Sequence, residues 1–168
     1  MKIMLLRGTA AESFPQFRDY LYNRFPNVIE SSKIVIGMES YGNLNESQFR
    51  AALHPGAQPI VDVGEVGSAE AGTYLSCELG QIRDGNFVLV GPLISSFEEG
   101  PWYKQNYFKN AKGQDVPIVG AVLLHLLCHW GWVSTKSYPS GDTDTGYDFE
   151  KFVYGTRARW RLTSPLIF

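Results

Sequence analysis

The sequence predicts a single α+β domain, residues 1–168, in which a mostly antiparallel β-sheet packs around one buried apolar helix. Three observations carry that prediction. The first is the stretch DVPIVGAVLLHLLCHWG, residues 115–131, in which nearly every side chain between the ends is apolar. With no face left for water, a helix of this composition belongs inside a core. Asp115 can cap its start, Pro117 is tolerated in a first turn, and Gly131 can close the far end, which places the helix at about 116–130. At about 1.5 Å per residue it spans roughly 20 Å, enough to cross a small domain and too short for a bilayer. The second observation is a pair of β-patterned runs, 73–82 and 87–94, joined at Asp84-Gly85, a dipeptide suited to a two-residue primed turn. In that register Leu79 faces Val90 and Leu75 faces Ile94, giving one apolar face. The third is the recurrence of Phe14, Phe17, Leu21 and Phe25 at three- and four-residue steps, an apolar stripe along an amphipathic helix at about 10–24.

The elements follow in order. Residues 3–6 are an apolar run expected as a strand, and Thr9 with Glu12 fits a capping box for the first helix. Pro15 suits its first turn and Pro26 stops it. Ile34-Val35-Ile36 is expected as a second buried strand. Residues 45–53 form a short helix capped by Asn45. Residues 60–66 alternate loosely as β, and Pro92 puts the end of the hairpin arm at a sheet edge or a strand terminus. After the core helix come an expected strand at 132–137, a loop at 137–148 rich in Ser, Gly, Asp and Thr, and a last strand at 149–162. In that last strand Arg157, Arg159 and Arg161 alternate with apolar residues.

Composition limits function. The chain has 168 residues, 44% hydrophobic and 19% charged, ordinary for a folded protein. A formal net charge of −2 argues against a dedicated nucleic-acid binder, which must neutralise many phosphates. No segment reaches the roughly 18 apolar residues of a membrane span. Cys77 and Cys128 are the only cysteines, too few for a disulfide framework, so the expected setting is the cytoplasm. The glycines of 64–72 lack the G-x-G-x-x-G order of a nucleotide cradle.

Three constellations carry candidate chemistry. His125 and His129 lie four apart, so on a helix they share a face, with Cys128 beside them, as two ligands of a zinc ion require. A further ligand would come from His54, Cys77 or an acidic side chain elsewhere. Residue 126 is Leu, so the His-Glu-x-x-His pattern of zinc proteases is absent. Two imidazoles satisfied by backbone carbonyls are the simpler reading. Asp142, Asp144 and Asp148 alternate like the start of a calcium loop. However, Gly146 falls one place early and Val153 occupies the position of the closing glutamate, which favours a solvated loop. The Arg157–Arg159–Arg161 row suits phosphate or an acidic protein surface. Trp102, Tyr103 and Tyr107 supply aromatic contact chemistry.

With no strong catalytic motif, the sequence ranks first a non-catalytic protein that binds another protein, of the inhibitor, immunity or phage-accessory kind. Its binding surface would be Trp102, Tyr103, Tyr107, the acidic loop and the arginine row, with no cofactor. The alternative is a metal-dependent hydrolase using His125, His129 and Cys128 with zinc. A self-assembling structural subunit, a homo-oligomer, is the third reading.

Overall fold

In the computed structural model of the protein, residues 8–53, 59–64, 73–77, 79–136 and 144–158 are described. Helices dominate: α1 (Gly8–Ser13), α2 (Pro15–Asp19), α3 (Ser32–Gly42), α4 (Glu46–Ala52), α5 (Gly91–Glu99), α6 (Ile118–Ser134) and α7 (Thr145–Tyr154). Strands β1 (Val61–Gly64), β2 (Thr73–Cys77), β3 (Gly80–Arg83) and β4 (Asn86–Val90) make one sheet in the order β1-β4-β3-β2. β5 (Tyr107–Lys109) and β6 (Asp115–Pro117) form a separate ribbon. Helix and sheet are mixed as expected, but the fold is not built mainly of sheet. The larger sheet is also not wholly antiparallel, because β1 runs parallel to β4.

The sheet forms where local turn chemistry demands it. Asp84 and Gly85 both take positive φ, 52° and 78°, the backbone of a primed turn. Gly80 pairs with Leu89, and Val90 N–H donates to Leu79 O, which is the expected register. That register does not extend to Leu75 and Ile94. Thr73–Cys77 forms its own strand, and Gly91-Pro92 starts α5, burying Leu93, Ile94 and Phe97. Pro92 thus lies just past the end of β4, as expected of a strand terminus, and begins a helix, where its missing N–H costs nothing.

The apolar stripe of 10–24 buries Phe17 and Leu21 as expected, and Phe25 beyond it. The helix is interrupted at Phe14 (φ −129°, ψ 67°), because Pro15 pushes the residue before it away from helical geometry. The Glu98 side chain closes the restart, its two oxygens accepting from Gln16 N–H and Phe17 N–H at 3.0 Å each. From Tyr20 to Arg24 the winding loosens to a π-helix, and Phe25–Glu30 tightens to 3-10. Asn45 caps α4 in a full capping box with Gln48.

Three expected strands are helices. Ile34-Val35-Ile36 lies inside α3, whose first turn is fixed by the Ser31 hydroxyl accepting from Ile34 N–H at 3.3 Å. Residues 132–134 continue α6. Residues 149–154 belong to α7, capped by Asp144 at its start and by Gly155 at φ 74° at its end. The expected strand at 3–6 and the remainder of 155–162 beyond Ala158 lie outside the described residues.

Helix α6 is the apolar rod at the centre, with residues 118–129 all buried. It touches β2 and β3 of the sheet, and it packs on α3 and α7. Its ends differ from the expected ones. Asp115 pairs with Lys109 across the β5–β6 ribbon at 2.7 Å, Pro117 becomes the N-cap, and the helix runs on through Gly131 to Ser134. Gly131 is needed for packing and not for termination, since a Cβ there would fall 1.7 Å from Gly42 O on α3. No helix among the described residues is long and apolar enough to cross a membrane.

Candidate metal centre

The two histidines face the N-terminal end of α7. Asp144 caps that helix, its Oδ1 accepting from Tyr147 N–H at 3.1 Å. The same carboxylate oxygen lies 3.0 Å from His129 Nε2 and 3.7 Å from His125 Nε2, and the two Nε2 atoms are 3.2 Å apart. The backbone of α7 comes this close because residue 146 is glycine. A Cβ there would lie 2.6 Å from the His125 ring.

Both imidazoles are buried, while the Asp144 side chain is 37% exposed, so the cluster opens to solvent on the carboxylate side. Burial alone raises the Asp144 carboxyl, but the hydrogen bond from His129 and the neighbouring imidazoles outweigh it and hold it below the usual carboxylate range. Behind His125, Glu150 Oε2 is 2.5 Å from Nδ1, with Glu150 almost fully buried. The Tyr147 ring stands edge-on to the His125 ring at 4.8 Å, and the Arg157 guanidinium lies over the Tyr147 ring at 3.6 Å.

These donors suit zinc. A tetrahedral ion with nitrogen and oxygen ligands at about 2.0–2.1 Å keeps them about 3.3 Å apart, since the edge of a tetrahedron is about 1.6 times the bond length. The three separations of 3.0, 3.2 and 3.7 Å bracket that edge. His125, His129 and Asp144 are also the one group of three or more metal-ligating side chains close enough to share an ion among the described residues.

Other residues singled out in the sequence stand elsewhere. Cys128 does not turn to the imidazoles. Its thiol is 3.8 Å from Met38 Sδ, and burial first, then the Glu150 and Asp144 charges, push its pKa well above the ordinary value. Asp144 lies not in a solvated loop but against the histidines, and Asp148 is half-buried within α7. Trp102 is 72% exposed, Tyr103 is exposed beside it at 5.8 Å, and Tyr107 begins β5. Arg157 is exposed and follows α7, so it does not stand in a strand ladder. Asp142, Arg159, Arg161 and His54 lie outside the described residues, as does the side chain of Cys77. Asp144, Gly146 and Glu150, which the sequence places in an acidic loop read as solvated, stand instead against the histidines. The signal for Asp144 was its place as a helix-capping Asp ahead of Thr-Gly-Tyr.

Residues 10–155 match the family model of metallopeptidase toxin 3. The chain belongs to that family. No curated protein and no solved structure matches it. Family membership overturns the expected non-catalytic binder of the inhibitor, immunity or phage-accessory kind. It also agrees with the metal cluster, whose nature the missing Glu at 126 had obscured.

Proposed function

We propose that this metallopeptidase toxin family member is a metal-dependent peptidase whose centre is His125, His129 and Asp144, with zinc as the ion. The observation that carries the reading is the set of three donor atoms at tetrahedral-edge spacing, opening to solvent through Asp144. Three protein ligands are what catalytic zinc sites use, in contrast to the four that close a structural site. Zinc bound there supplies a Lewis acid for a peptide carbonyl and brings the pKa of a coordinated water to about 7.

The chain's own residues orient the centre and keep one side of it dry. His125 and His129 come from a single turn of the buried α6, so their spacing is set by a rigid element. Asp144 is held by the first turn of α7 and faces the open side, where an extended substrate can approach. Leu126 contributes no proton acceptor. It is fully buried, and a Cβ on Gly80 of β3 would sit 2.8 Å from its Cδ1, so it packs toward the sheet. A glutamate base next to the first histidine is therefore not part of this site.

The test is metal analysis of protein purified without added metal, followed by incubation of the zinc-loaded protein with an unfolded protein substrate. One zinc per chain is expected, with cleavage that a chelator abolishes and zinc restores. Failure to bind zinc removes the centre, and zinc binding without chelator-sensitive cleavage removes the peptidase reading.

A further inference from the structure

We propose that Glu150 is a positioning residue that fixes the tautomer of His125 and so sets how tightly the centre holds its ion. This rests on the metal reading above, and it concerns a residue outside the three ligands. Both oxygens of Glu150 are occupied: Oε2 lies 2.5 Å from His125 Nδ1, and Oε1 accepts from Ala158 N–H at 2.6 Å. In the proposed arrangement His125 Nδ1 carries the proton and donates to Oε2. In a neutral imidazole that leaves Nε2 with a free lone pair, and Nε2 is the atom that faces His129 and Asp144.

Glu150 is itself held on two sides. Residue 150 sits on α7, six positions after the capping Asp144, so the helix that presents the carboxylate ligand also presents the group behind the histidine. The Ala158 amide, beyond the αL turn at Gly155, brings the chain that follows α7 back onto the same carboxylate. The second oxygen is thereby occupied, and Glu150 cannot rotate to accept from His125 with either oxygen.

Replacement by glutamine tests the point because it keeps the shape and removes one acceptor. The glutamine side chain has a single oxygen, which can take the place of Oε2 at His125 or of Oε1 at Ala158 but not of both. If the amide turns its NH₂ to His125, the proton moves to Nε2 and blocks the ligand atom. The experiment measures zinc affinity of wild type and Glu150→Gln by competition with a chromophoric chelator at one pH, with the melting temperature of each metal-free protein alongside. Zinc affinity is expected to fall about 10–100-fold in Glu150→Gln, the usual effect of losing such an outer partner. An affinity unchanged in both Glu150→Gln and Glu150→Leu, the second of which offers His125 no acceptor at all, overturns the proposal.

A second measurement does not depend on the variant folding. Nitrogen-15 NMR of the His125 ring in metal-free wild type reads the tautomer directly. Protonated Nδ1 with bare Nε2 is expected, and the opposite tautomer overturns the proposal whatever the affinity shows. If wild type binds no zinc, the metal centre falls, and the ring tautomer alone decides whether Glu150 positions His125.

Discussion

Replacing Gly146 with alanine sets two known effects against each other at the metal centre. Gly146 is the second residue of α7, and alanine there favours the helix by up to about 1 kcal/mol. The added methyl, however, would lie 2.6 Å from three atoms of the His125 ring, where ordinary contact begins near 3.4 Å. Something must move by about 0.8 Å. The His125 ring cannot simply yield, because its Nδ1 is held by Glu150 at 2.5 Å. Metal ligands tolerate errors of about 0.2 Å, so the displacement exceeds the tolerance roughly fourfold. Crowding a packed site also costs about 1–3 kcal/mol, more than the helix preference returns. Gly146→Ala is therefore expected to lose at least tenfold in zinc affinity and to melt below wild type in the metal-free form. Chelator competition and thermal melting measure both. A folded Gly146→Ala protein with zinc affinity within twofold of wild type would refute the close approach of α7 to His125.

Asp144→Asn separates the two tasks of that residue. Asparagine caps helices about as well as aspartate, so metal-free melting should stay near wild type while zinc affinity drops at least about 100-fold; equal losses in both would place Asp144 in the helix cap alone. Leu124→Ala, at a position 2% exposed in the central helix, is expected to cost about 2–5 kcal/mol in denaturant unfolding, and a loss under about 1 kcal/mol would mean α6 is not the core element. Zinc added at about 100 times its dissociation constant should raise unfolding stability by about 2.7 kcal/mol, and a chelator should remove that increment; no shift in the melting temperature would argue against a native-state site.

The parts of the fold visible in the sequence are those governed by neighbours along the chain. The Asp84-Gly85 turn fixed its own register, Asn45 and Gln48 capped α4, and the nearly unbroken apolar run from Ile118 to Cys128, interrupted only at His125, announced a buried helix. What stayed hidden was set across the fold. Ile34-Val35-Ile36 has strand-like side chains, yet the Ser31 cap and the packing of α3 on α6 and α7 outweigh a weak local preference. Gly131 looked like a helix stop because its real partner, Gly42 O, lies 89 residues earlier in the chain. The metal centre divides the same way. A four-residue spacing puts His125 and His129 on one face by helix geometry alone, so half of the site was legible. Asp144, 15 residues past His129, reaches it only because α7 folds back onto α6, and the alternating pattern of 149–162 concealed that helix. Its two ends were nonetheless written in the sequence as Asp144 and Gly155, a capping aspartate and a left-handed glycine ten residues of helix apart. Weighing those caps above side-chain alternation gives α7. On that helix the positions that meet His125 are Gly146, Tyr147 and Glu150, so the proposed third ligand and the group proposed to position the first are presented by one element.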